Sequence, residues 1–86
     1  MRRRKRHADS SAAAADWMKK AVRSSPRPLP EGFFPKILEE AVRAGFSREE
    51  TLNVVDEWLN FGYCRIVDHI THDLAVTFAG EMFFYG

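Results

Sequence analysis

A chain of 86 residues, 45% hydrophobic and 13% aromatic, allows one small globular domain plus a tail and excludes a sequence too polar to fold. One cysteine excludes an internal disulfide and fits a reducing compartment. The net charge of +1 conceals a division, because residues 1–30 carry nine Lys/Arg against Asp9 and Asp16 (+7), and residues 31–86 carry four against ten acids (−6).

A basic front on an acidic body points to a polyanionic partner for the front. "MRRRKRH" is a run of like charge, so residues 1–10 are expected to form a disordered basic arm ahead of a domain over residues 11–86. No strongly apolar stretch follows the arm, which argues against a signal peptide. No run approaches the ~18 apolar residues that span a bilayer. The expected setting is the cytoplasm or nucleoid, or the nucleus of a eukaryote, with no membrane partner.

"ADSSAAAADWMKKAVRSS" turns helical, with Asp9 or Ser10 as cap. Trp17, Met18, Ala21 and Val22 make one apolar stripe, and Lys19, Lys20 and Arg23 lie off it. "SSPRPLPEG" is a connector whose prolines forbid helix. "EGFFPKILEEAVRAG" is a second helix, with Pro35 in its first turn and Gly45 as its stop. Ser47 and Glu50 form a capping box that opens a third helix over 47–61, ended by Gly62. Leu52, Val55 and Leu59 are its expected buried face, packed on Ile37, Leu38 and Val42. "YCRIVDHITHDLAVTFAG" reads as a hairpin, with strands 63–69 and 74–78 and a turn near 70–73. "GEMFFYG" closes the chain as a short cap whose aromatics dock on the core.

The phrase "ILEEAVRAGFSREETLNVVDEWLNFGYCRI" resembles the helix-turn-helix of winged-helix domains. It has an apolar helix, a Gly-apolar-Ser turn, a capped helix and a Gly-aromatic entry to a strand. "DLAVTFAGEMFF" is similar to that family's last strand and the helical turn after it. The resemblance covers roughly residues 12–84. It implies an α+β, mainly α fold: a three-helix winged helix-turn-helix with a C-terminal β-hairpin wing. It also implies that the 47–61 helix is the recognition helix and the 63–78 hairpin the wing. This chain departs from the DNA-binding members there, since both segments are acidic or neutral.

The arm is the strongest functional signal. Guanidinium forks match phosphate oxygens, and binding releases condensed counterions. Arg2, Arg3, Arg4, Lys5 and Arg6, then Lys19, Lys20, Arg23, Arg27 and Arg48, are the candidate nucleic-acid contacts, with DNA expected ahead of RNA. "RRRKR" would also serve as a nuclear-import signal. The third helix bears Glu49, Glu50, Asp56 and Glu57 beside Arg48, so it is not expected to read bases strongly. Glu49 and Glu50 suit the helix dipole. Val54 and Trp58 share a side of it, an apolar strip rimmed by acids that would suit a protein partner. Phe83 and Phe84 are further protein-contact candidates, and a homodimer could use the first helix or "MFFYG". His69 and His72 flank the hairpin turn near Asp68, Asp73 and Cys64, but no second ligand pair has metal-site spacing. No nucleophile–base pair or phosphate loop is present, so no enzyme, cofactor or metal is expected. Cys64 reads as a small buried apolar residue. The leading expectation is a small nucleic-acid-binding, transcription-regulatory winged helix. The alternative is a protein-docking winged helix inside a nucleoprotein assembly such as a ribosome or polymerase, with its arm on RNA or DNA.

Overall fold

The computed structural model describes the backbone of residues 2–86 and the side chains of residues 12–86. The elements in chain order are α1 (Arg2–Ser24), α2 (Phe33–Arg43), α3 (Arg48–Asn60), β1 (Cys64–Asp68), β2 (Asp73–Val76) and α4 (Phe78–Tyr85). The fold is α+β and mainly helical, with an antiparallel hairpin toward the C-terminal side, a layout compatible with a winged helix. α1 takes in the arm from Arg2. The backbone of residues 2–10, expected as a disordered arm with Asp9 or Ser10 capping the helix after it, is helical, and the side chains of residues 1–11 lie outside the described residues. No helix among the described residues is long and apolar enough to cross a membrane.

Local chemistry sets the helix ends. The Ser47 hydroxyl accepts from the Glu50 amide at 3.0 Å, and the Glu50 carboxylate accepts from the Ser47 amide at 2.8 Å. That reciprocal cap satisfies two amides that the first turn of α3 leaves without helical partners. At the other end Gly62 takes φ 79°. Its amide donates to the Leu59 carbonyl, and the Tyr63 amide donates to the Trp58 carbonyl at 2.8 Å, the paired bonds of a Schellman stop. α2 ends in the same way around Gly45. Its start has no side-chain cap of its own. Instead the buried Asp73 of β2 accepts from the Gly32 amide at 2.7 Å and from the Leu74 amide at 2.9 Å, which ties the connector to the hairpin.

One core fills the centre. α1 contributes Ala14, Met18 and Val22, and α2 contributes Phe33, Phe34, Ile37 and Ala41. Cys64, Leu74 and Phe84 close it from the hairpin and α4.

The buried face of α3 differs from the expected one. Leu52 is 46% exposed and Val42 is also exposed, while Val55, Leu59 and Leu38 are only half-buried. Thr51, Val54 and Trp58 face inward instead, with Val54 at 2% and Trp58 at 3% exposure. Two overlapping apolar stripes compete on this helix, and the one bearing Trp, with the larger apolar area, is buried. Thr51 reads as polar in a hydropathy pattern. Its hydroxyl donates to the Arg48 carbonyl at 2.7 Å, so it can be buried without losing a hydrogen bond. Val54 and Trp58 are therefore core residues and not an exposed strip. Phe84 is corrected in the same way, because it is fully buried against Trp58 with ring centroids 4.9 Å apart.

The hairpin is shorter than the expected strands 63–69 and 74–78. Cys64 pairs with Val76, Arg65 with Ala75 and Ile66 with Leu74, and the register then shifts across Val67. Tyr63 is held by the helix stop before β1 begins. Thr77 leaves β2 to cap α4, its hydroxyl accepting from the Gly80 amide at 3.1 Å.

Candidate nucleic-acid interface

α4 lies against α1, and two cations are seated on its rings. Lys19 Nζ is 4.0 Å from the Phe83 ring centroid, and the Arg27 guanidinium carbon is 4.1 Å from that of Tyr85. Arg27 Nη1 also lies 3.6 Å from Glu81 Oε1. Arg23 is exposed and stands one helical turn beyond Lys19, on the same side of α1. Seating the charged groups of Lys19 and Arg27 on aromatic faces restricts their rotamers. Lys19 and Arg27 thus flank α4 from α1 and the connector, on rings two residues apart that point to different sides of it, with Arg23 between them in the chain.

Lys20 and Arg48 touch no ring of α4. Lys20 pairs with Asp16 at 3.3 Å, both well exposed. Such a pair adds little stability and offsets a positive charge locally, as Glu81 does for Arg27. Arg48 opens α3 beside Glu49, and Glu49, Asp56 and Glu57 are all exposed on that helix. The side chains of Arg2, Arg3, Arg4, Lys5 and Arg6 lie outside the described residues.

An aromatic column starts at Lys19 and Phe83. Phe83 stacks on Tyr63 with centroids 4.1 Å apart and planes at 7°. Lys19 covers Phe83 at nearly the same distance. One ring face cannot hold both, so the ammonium and Tyr63 sit on opposite faces. Tyr63 in turn meets Phe61 at 5.7 Å and 31°. Phe61 is 66% exposed. The Schellman turn at Gly62 brings Phe61 and Tyr63 side by side. α4 is held against this turn by the Thr77 hydroxyl donating to the Gly62 carbonyl and by the Thr77 amide donating to the Tyr63 carbonyl at 3.0 Å. Sequence periodicity does not mark Phe61 or Tyr63 as functional. The available signal was an aromatic residue on each side of a helix-ending glycine. Phe83, expected as a protein contact, is half-buried within the column.

The hairpin turn is organised by its own backbone. The Asp68 carboxylate accepts from the Ile70 amide at 2.8 Å and the Thr71 amide at 3.2 Å, and these bonds hold it below the usual carboxylate range. Among the described residues no three of His, Cys, Asp and Glu converge as metal ligands would. An open cleft of about 320 Å³ lies between the connector and β2, lined in part by Leu29, Leu74, Val76 and Tyr85. Arg27 and Glu81 at its edge already pair with each other.

Cys64 is buried, and that burial pushes its thiol up to about 12. A group that stays protonated and covered is a poor nucleophile. The native protein should therefore react with an aromatic disulfide reagent only as fast as it unfolds, and fully in denaturant. Prompt labelling of the folded protein would contradict this placement.

The sequence matches no family model, and neither the curated proteins nor the solved structures provide a match.

Proposed function

We propose that this chain is a small nucleic-acid-binding protein of winged-helix type, with DNA-linked regulation as its setting, that grips the phosphate backbone through α1. The observation that carries this reading is the concentration of cations on α1 and the connector, with Lys19 and Arg27 seated on the rings of α4. α1 also begins with Arg2, Arg3, Arg4, Lys5 and Arg6. One helix therefore carries eight of the chain's thirteen Lys/Arg, and phosphate contacts need nothing more specific than fixed cations. The layout of α2, the Gly45–Ser47 turn, α3 and the hairpin supports the winged-helix assignment. In this assignment α3 keeps its structural role and yields the binding role to α1. Its exposed acids would face like-charged phosphates in a groove.

Deleting residues 2–6 is expected to weaken binding to any nucleic acid and to flatten its salt dependence. If all five cations meet phosphates of duplex DNA, the log–log slope falls by up to about 4.5, at about 0.9 for each contact. An unchanged slope would remove the arm from the interface. Lys19→Glu with Arg23→Glu should weaken binding further in the deleted protein.

Docking inside a nucleoprotein assembly is the second reading. It is favoured by the exposure of Phe78 (84%) and Met82 (63%), one turn apart on α4. Phe78→Glu would then abolish incorporation into the assembly and leave the free protein's affinity for nucleic acid unchanged.

A further inference from the structure

We infer that Phe61 is a stacking platform for an unpaired nucleobase, so that the preferred ligand is a single-stranded nucleic acid. This rests on the reading that α1 holds the phosphate backbone, and it assigns the bases a place beside that helix. The column runs Lys19, Phe83, Tyr63, with Phe61 tilted beside Tyr63 at 5.7 Å and 31°, from an ammonium on α1 to a ring that is mostly open to solvent. The Phe83–Tyr63 separation of 4.1 Å at 7° shows that these rings already stack face to face. Phe61 is the outermost ring of that column, with no ring contact beyond Tyr63 among the described residues.

A planar aromatic ligand can stack on Phe61 at low cost, because Tyr63 and Phe83 beside it are already fixed. Their positions come from the Gly62 helix stop and from α4, so little ordering remains to be done on binding. Charge selects among planar ligands. Lys19 stands at the inner end of the column on α1, which favours a ligand whose rings are joined by anions. A duplex keeps its base faces stacked on one another, whereas a single strand can offer them to an aromatic side chain. Stacking of this kind accepts every base, so strong sequence preference is not expected from it.

The test compares short single-stranded oligonucleotides, both DNA and RNA, with a duplex of matched length, using fluorescence anisotropy on the full chain. The wild type should bind single strands more tightly than duplex. Phe61→Ala should lower single-strand affinity about tenfold or more, leave duplex affinity unchanged, and remove the quenching of a 2-aminopurine placed in the strand. Phe61→Trp should restore both. Phe61 is exposed, so circular dichroism should show both variants folded. If deletion of residues 2–6 weakens binding while Phe61→Ala changes nothing, the α1 interface stands and the platform is overturned. If the wild type binds no nucleic acid, both fall together. If Phe61→Ala spares single-strand binding but dissociates a self-associated species in sedimentation, Phe61 is a protein contact and the platform is likewise overturned.

Discussion

Trp58→Ala should unfold the domain or lower its melting temperature by at least roughly 12 °C. The indole is almost wholly buried at the junction of α3 and α4, in edge contact with Phe84 and Phe83. Removing a buried Trp side chain costs about 3–5 kcal/mol through lost burial and the cavity left behind. A domain of this size has only about 5–15 kcal/mol in total, and each kcal/mol shifts its midpoint by about 4–8 °C. Leu52→Ala is the matched control on the same helix. Leu52 lies on the half-open side, so its truncation should cost well under 1 kcal/mol. Thermal denaturation followed by far-UV dichroism measures both. A larger loss at Leu52 than at Trp58 would mean that α3 is rotated from the orientation described.

Gly80→Ala should destabilise by about 3 kcal/mol, a fall in melting temperature of roughly 12 °C or more. Helix propensity alone predicts the opposite sign, since Ala is better than Gly within a helix by about 1 kcal/mol. Packing decides the outcome. A β-carbon at Gly80 would lie 1.9 Å from the Tyr63 carbonyl oxygen, 2.9 Å from its carbon and 2.8 Å from Val76 Cγ1. Two of these obstacles are backbone atoms, so α4 must lift away rather than a side chain turn aside. That shift would also strain the Thr77 bonds to Gly62 and Tyr63 and the Phe83–Tyr63 stack. Near-UV dichroism should therefore lose aromatic signal in this variant even below its melting point. A variant as stable as the wild type would show that α4 does not rest on Tyr63.

What could be read from sequence was what neighbouring residues determine. The Ser47–Glu50 cap, the stops at Gly45 and Gly62, Pro35 in the first turn of α2 and the hairpin all depend on residues close in the chain, and all appear. The buried side of α3 was not legible in the same way. Five apolar residues on a short helix make two stripes, and the choice between them depends on what α1 and α4 offer in space. Thr51 hid the correct stripe, because the pattern cannot see that its hydroxyl bonds to Arg48 within the helix. The candidate interface was half legible. Lys19, Arg23 and Arg27 were identifiable as cations, but not the seating of Lys19 on Phe83 and of Arg27 on Tyr85, which are distant in the chain. The Phe61–Tyr63–Phe83 column was hidden for the same reason, since it forms only when Gly80 lets α4 settle on Tyr63.

The central claim is that α1, and not α3, holds the nucleic acid. Amide chemical shifts of the labelled protein, followed by NMR as a short oligonucleotide is added, test it directly. The largest changes should fall on residues 2–6, on Lys19 and Arg23, and on Phe61 with its neighbours, while Arg48, Glu49, Leu52 and Asp56 stay nearly unmoved. Changes concentrated on Arg48, Glu49 and Leu52, with α1 silent, would contradict it and make α3 the helix that meets the ligand.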